Sequence, residues 1–183
     1  GGSFEMEYSS STQMLLADRS AGRPWTGELP FAVQVVSTIR ERDLVTGRST
    51  EIKLSYHDGT YDGPEREFRG FKNVTVNFSG DESVPTTRQE FEFFQGAPEL
   101  VDLSERRRQR ALSGAMVSTK TFEQVGADFQ LRQQSTQVWD TRLEHDGVAG
   151  QVYFPFVTSI ETQEISSSGT PPRIEVTSLS NYD

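Results

Sequence analysis

The residues best equipped for chemistry stand together between Tyr56 and Phe71. The stretch reads Tyr56-His57-Asp58-Gly59-Thr60-Tyr61-Asp62-Gly63-Pro64-Glu65-Arg66-Glu67-Phe68-Arg69-Gly70-Phe71, which places four carboxylates, one imidazole, two arginines and four aromatics within sixteen positions. Glycoside hydrolysis needs two carboxyl groups about 5–10 Å apart in different environments, and Asp62 with Glu65 or Glu67 offers such a pair. Arg66 and Arg69 favour a different outcome, because a neighbouring guanidinium keeps a carboxylate ionised rather than ready to donate a proton. The stretch therefore reads first as a backbone turn held by ion pairs, with no catalytic residue assigned. A carboxylate-based glycan hydrolase is the weaker alternative.

Other chemistry is thinly provided for. Both histidines stand in His-Asp-Gly tripeptides, His57-Asp58-Gly59 and His145-Asp146-Gly147. Two imidazoles and two carboxylates would suit a divalent metal if the two turns met, yet Asp-Gly is also an ordinary hairpin signal, and neither metal nor cofactor is expected. The chain has no cysteine, which removes disulfides, thiolate metal sites and thiol nucleophiles together. It also has no Gly-x-Ser-x-Gly elbow, Gly-rich phosphate loop or dinucleotide fingerprint. Arg106-Arg107-Arg108-Gln109-Arg110 is the one basic run. It suits either an anion site or a solvated helix face that balances nearby Asp and Glu, and without basic companions or interleaved aromatics the helix face is the preferred reading. Trp25 and Trp139, with Tyr8, Tyr56 and Tyr61, could form a platform for a glycan or a protein, against the commoner use of such rings in packing.

The elements that must position these groups are strands. At 183 residues the chain allows one core, and Val, Ile, Thr and Phe dominate what it can bury. A formal net charge of −9 repels polyphosphate and anionic lipid, so neither nucleic acid nor a membrane is an expected partner. Gly1-Gly2-Ser3 reads as a linker remnant, and 4–183 as a single β-rich segment. Residues 4–16 read as a strand, followed by an irregular stretch at Gly22-Arg23-Pro24. Alternation of apolar and polar residues predicts strands over 31–42 and 48–56, joined at Thr46-Gly47, and over 74–78 and 88–94. Asp58-Gly59 and Asp62-Gly63 predict two bends. Ser104 is placed to cap one short helix from Glu105 to Leu112, ended by Gly114. Four more strands follow at 116–122, 129–140, 151–165 and 174–179, with 166–172 as an exposed connection. The fold class is mainly β: successive antiparallel hairpins with one short helix.

Particular words of the sequence go further. In order along the chain stand Tyr8-Ser9-Ser10-Ser11-Thr12, Ala21-Gly22-Arg23-Pro24-Trp25, Leu29-Pro30-Phe31-Ala32-Val33-Gln34-Val35-Val36, Tyr56-His57-Asp58-Gly59 and Tyr61 through Phe71. Together they resemble the middle region of the B component of Tc insecticidal toxins, which is similar in turn to SpvB-type and RHS (YD-repeat) toxins. Glu65-Arg66-Glu67-Phe68-Arg69-Gly70-Phe71 carries most of the likeness. Weaker landmarks follow at Arg110-Ala111-Leu112-Ser113-Gly114, Val152-Tyr153-Phe154-Pro155 and Pro172-Arg173-Ile174, so the resemblance spans most of residues 5–180. Ala32 stands where proline is frequent, and Lys72-Asn73-Val74 where Gly-x-Val is usual, which marks a divergent member.

That resemblance implies architecture rather than catalysis: part of a curled RHS-type β-shell that encloses a C-terminal toxic cargo, in a secreted, extracellular parent protein. The implied partners are adjoining shell segments of the same parent, the encapsulated C-terminal toxin and, through regions outside this chain, a pore-forming Tc component. The structural motif would comprise Tyr61, Asp62, Gly63, Glu65, Arg66, Glu67, Phe68, Arg69, Gly70 and Phe71. In it the Tyr-Asp-Gly turn fixes a bend, and Glu65, Arg66, Glu67 and Arg69 form buried or inter-strand ion pairs. The alternative function is an extracellular β-module that binds glycan or protein.

Overall fold

A computed structural model of the chain describes residues 1–27, 29–81, 83–97, 102–147, 150–166 and 171–179. Nine strands follow one another: β1 (Gly2–Ser10), β2 (Gln34–Asp43), β3 (Ser49–Asp62), β4 (Glu67–Phe78), β5 (Thr87–Phe93), β6 (Met116–Val125), β7 (Asp128–Gly147), β8 (Gly150–Glu164) and β9 (Arg173–Ser178). They form one sheet in chain order, every neighbouring pair antiparallel. The expected succession of hairpins is therefore present. The sheet is open and does not curl back on itself, so among the described residues β1 and β9 are unpaired edges. Gly2 and Ser3, read as linker, continue β1 opposite Asp43 and Arg42.

Among the described residues two helices accompany the sheet, where one was expected. Residues 11–20, assigned from sequence to the first strand, form α1 (Ser11–Ser20). Its start is a capping box: the Gln13 N–H donates to Ser10 Oγ (3.3 Å), and the Ser10 N–H to Gln13 Oε1 (3.2 Å), which satisfies two donors that a helix start otherwise leaves open. The second helix, α2 (Leu103–Ala111), begins two residues earlier than expected, with Asp102 rather than Ser104 as its cap; Asp102 Oδ1 accepts from the Glu105 N–H at 2.8 Å. Asp58-Gly59 is not a turn. It lies inside β3 in register with β4, His57 opposite Asn73 and Gly59 opposite Phe71, with Asp58 at φ 61°; the bulge follows, between Gly59 and Tyr61, where β4 carries the extra residue between Phe68 and Phe71. The reversal comes after Asp62, as expected. Most of the predicted connection at 166–172 lies outside the described residues.

Register sorts the side chains onto two unlike faces, because residues paired across an antiparallel ladder point the same way. One face carries Met6 opposite Ile39, Ile39 opposite Ile52, Ile52 opposite Phe78, Leu54 opposite Val76, and Val74 opposite Phe91. The other carries polar rows such as His57, Asn73, Glu92, Ser118, Thr136 and Glu161. There Arg40 on β2 reaches Glu7 on β1 and Glu51 on β3. Among the described residues no layer covers the apolar face: Ile39, Ile52, Leu54, Val74, Val76, Phe78 and Phe91 are all only half-buried. Among the described residues the buried apolar side chains are Phe71 and Ala115, whereas six buried residues are polar or charged.

Candidate functional site

The long β3–β4 hairpin gathers three buried carboxylates, and each ties a different part of the chain to the sheet. Asp18, in the last turns of α1, accepts from Arg23 Nη2 (2.6 Å) and Trp25 Nε1 (2.8 Å), and its Oδ2 lies 2.8 Å from His57 Nδ1 on β3. A carboxylate partner makes that nitrogen the protonated one. Trp25 then packs edge-on against His57 and Phe71, at ring-centre distances of 5.8 and 5.9 Å. Tyr56 and Phe68 complete the cluster around Phe71. His57 also borders a polar groove of about 360 Å³ with Arg23, Asn73, Glu92 and Lys120.

Asp58 faces the segment that returns from α1. Its carboxylate accepts from the Thr26 N–H (2.6 Å), the Thr26 hydroxyl (2.7 Å) and the Gly27 N–H (2.7 Å). The left-handed backbone at Asp58, which aspartate tolerates better than most residues, aims the side chain there. Gly27 is needed for close approach: a Cβ at that position would lie 2.5 Å from the Gly59 carbonyl oxygen. Gln95, beyond β5, locks the bulge from the other side by donating to the carbonyls of Asp58 and Gly70, both at 2.9 Å.

Asp62 is the third hub, at the end of β3, and is 1% exposed. Arg69 Nη2 on β4 donates to its Oδ2 (2.9 Å), Arg106 Nη2 on α2 to its Oδ1 (2.8 Å), and the Glu65 N–H also donates to Oδ1 (3.2 Å). Arg69 also pairs with Glu67 (3.0 Å), and Arg110 of α2 bridges Glu65 (3.0 Å) and Glu67 (3.1 Å). Arg108 turns the other way, to Asp140 (3.0 Å) and Thr141 (2.9 Å) on β7. The arginine run is thus a strut rather than a merely solvated face: alternate arginines clamp α2 to the hairpin tip and to β7.

Geometry sorts the motif residues. Asp62, Glu65, Glu67 and Arg69 meet in this network, while Phe68 and Phe71 join the aromatic cluster and Tyr61 stacks edge-on against Phe31 at 5.2 Å. Gly63 and Arg66 shape the turn, Arg66 with φ 55°. Gly70 has φ 86°, and its carbonyl holds Gln95. Asp18, Trp25, Gln95 and Arg106 complete the site without having been assigned to it from sequence. The two His-Asp-Gly tripeptides serve different places: His57 is in β3, and His145 pairs with Val152 near the β7–β8 turn.

The electrostatics suit anchoring. Burial alone pushes the Asp62 carboxyl up, but the bonds from Arg69 and the Glu65 N–H, with the charges of Arg106 and Arg69, outweigh it and hold the group below the ordinary aspartate value. Asp58 and Asp18 behave likewise: burial is overcome by the Gly27 and Thr26 donors in one case, and by His57, Trp25 and Arg23 in the other. A general acid for glycan hydrolysis needs the reverse shift. Because all three folded-state values are depressed, the stability they supply is present above the unfolded-state value, near pH 4, and is lost as the pH falls through the lowered values. Melting temperature is expected to hold from about pH 7 to about pH 5 and to drop steeply below about pH 4; a fall already under way near pH 6 would contradict this assignment.

Comparison with known proteins places this arrangement. Residues 1–94 match the family described as the insecticide toxin TcdB middle/N-terminal region. The chain belongs to that family. The match takes in α1, the β3–β4 hairpin and all three carboxylate hubs. No curated protein sequence matches. Among solved structures, this TcdB-family chain is similar to a crystal structure of TcdB2-TccC3 (TM-score 0.81), to a Photorhabdus luminescens Tc holotoxin pore (0.83) and to a TcdB2-TccC3-Cdc42 structure (0.82). Identity is 18% in each case, which establishes a shared fold. The alignments cover 96% of this chain but only 10–11% of the other chains, so this TcdB-family chain spans about a tenth of their length.

Proposed function

We propose that this chain is a non-enzymatic structural segment of a secreted RHS/Tc-type toxin, and that it helps build a hollow β-shell that encapsulates a C-terminal toxic cargo. One observation carries the reading. A sheet needs a second layer over its apolar face, and among the described residues this nine-stranded sheet has none, with only Phe71 and Ala115 as buried apolar side chains. Among the described residues its two edges are unpaired as well, and a free edge invites another strand. Adjoining shell segments of the same parent would pair with β1 and β9, and the enclosed cargo would lie inside the wall. A pore-forming Tc component would join through regions outside this chain. The carboxylate hubs then fix where the hairpin tip, α1 and α2 sit on the wall; Tyr61 to Phe71 would serve as the structural motif.

The glycan- or protein-binding alternative has less support. Trp25 donates its indole N–H to Asp18, and Trp139 to the Met116 carbonyl at 2.8 Å, so both polar handles are already used within the chain.

The parent product, captured from its source with an antibody to this chain, is expected to be a polypeptide many times longer than 183 residues and to appear as a hollow particle by negative-stain electron microscopy. A free-standing product of about the chain's own 20.6 kDa would overturn the proposal.

A further inference from the structure

Arg107 is the arginine of α2 that the strut leaves over. Its neighbours in sequence reach acids on the hairpin and on β7, because successive helix positions turn by about 100°. Arg107 points between those directions, toward β8. Among the described residues it makes no ion pair or hydrogen bond. Arg107 is exposed, and one side of its guanidinium lies against Gly150, at the start of β8 with φ 120°, where a Cβ would come within 2.7 Å of Arg107 Cζ. The absence of a side chain at Gly150 is what lets the flat group lie against the strand.

The guanidinium borders an open cleft of about 470 Å³ between α2 and β8, lined also by Arg110, Glu65, Gln151 and Tyr153. Tyr153 donates its hydroxyl to Gln151 Oε1 at 3.1 Å, which fixes that wall. Arg107 and Arg110 line the cleft opposite Glu65, on a chain whose net charge is −9. Arg110 is already shared between Glu65 and Glu67, so one uncommitted guanidinium remains, with its planar fork of donors.

We infer that this cleft is a docking site for a carboxylate side chain of an acidic polypeptide segment, received by Arg107. A guanidinium fork matches a planar carboxylate through two parallel N–H bonds. A doubly charged phosphate would need more positive charge than the cleft offers and would be repelled by Glu65. The inference stands independently of the shell proposal, since it concerns only what this chain's own surface recognises.

The test uses the intact chain with isotope-labelled arginine side chains, following each Nε–H signal by NMR while a polyglutamate peptide is added. Saturable movement of the Arg107 signal is expected, with none on adding polyglutamine and a far weaker response to inorganic phosphate. Arg107→Gln should weaken peptide binding by about tenfold or more without changing the melting temperature, because no intrachain partner is lost. Arg107→Lys should recover only part of the affinity, since it restores charge without the fork. The proposal is overturned by a still Arg107 signal, by equal movement of all arginines, by phosphate binding as tightly as the peptide, or by undiminished binding in Arg107→Gln. A lower melting temperature in Arg107→Gln would assign the residue to the strut instead, and would equally overturn it.

Discussion

Replacing Asp62 with alanine is expected to lower the free energy of unfolding by about 3–5 kcal/mol. The carboxylate is 1% exposed and the Arg69 side chain 4%, so the substitution removes the buried counter-ion of Arg69, leaving it only the more exposed Glu67, and leaves a largely buried Arg106 without its partner. Surface ion pairs contribute about 1 kcal/mol or less because water and salt screen them; this pair lacks that screening. Removing one partner of a buried pair costs more than the pair itself ever contributed, since the remaining charge has no counter-ion. Arg69→Ala should be comparably damaging. The double variant should cost clearly less than the sum of the two, because the second removal takes away the stranded charge. Urea unfolding of the three variants measures all of this, and a loss under about 1 kcal/mol for Asp62→Ala would show the hub to be solvent-screened after all.

Asp58→Ala is the second large expectation, at about 3 kcal/mol. Three donors from Thr26 and Gly27 converge on this buried carboxylate, and the residue holds φ 61°, which alanine tolerates poorly. The two causes separate by substitution. Asp58→Asn keeps both the left-handed tolerance and one acceptor oxygen, whereas Asp58→Gly keeps only the backbone freedom. The losses should therefore rise in the order Asp58→Asn, Asp58→Gly, Asp58→Ala. Urea melts followed by Trp25 fluorescence report the event locally, because Trp25 belongs to the same returning segment. Equal losses for the asparagine and alanine variants would mean that neither the acceptor nor the backbone angle matters.

The strands are legible in the sequence because alternation is a local signal: β2, β5, β6, β8 and β9 begin and end close to the expected ranges, whereas β3 runs on to Asp62, β4 begins already at Glu67 and β7 extends to Gly147, past where the alternation stops. α1 escapes that reading for a local reason too. Phe4, Met6 and Tyr8 alternate well, and that pattern carries the strand reading past Ser10, although Ser10-x-x-Gln13 is a capping signature. Asp58-Gly59 shows a different failure. The dipeptide favours a positive φ, and Asp58 has one, but the strand runs on through it in register with β4, and only the pairing partner distinguishes that from a hairpin turn. The candidate site is half visible. Asp62, Glu65, Glu67 and Arg69 lie close in sequence, so their ion pairs follow from one tight turn. Asp18 with His57, and Asp62 with Arg106, are separated by 39 and 44 residues. Their meeting depends on sheet register and on where two helices land, and composition records neither.

The strand order bears on how the chain comes to be folded. Each strand pairs with the one just before it and the one just after it, so no strand must wait for a partner from the far end of the sequence. For a β-protein this keeps loop-closure costs small, and such topologies fold faster than those built on distant pairings. As the chain leaves the ribosome, each new hairpin can be laid onto the edge of the sheet already made. A sheet that grows by one strand at a time has no fixed final width. Lengthening or shortening it by whole hairpins leaves every remaining ladder intact, much as repeats are added to a solenoid.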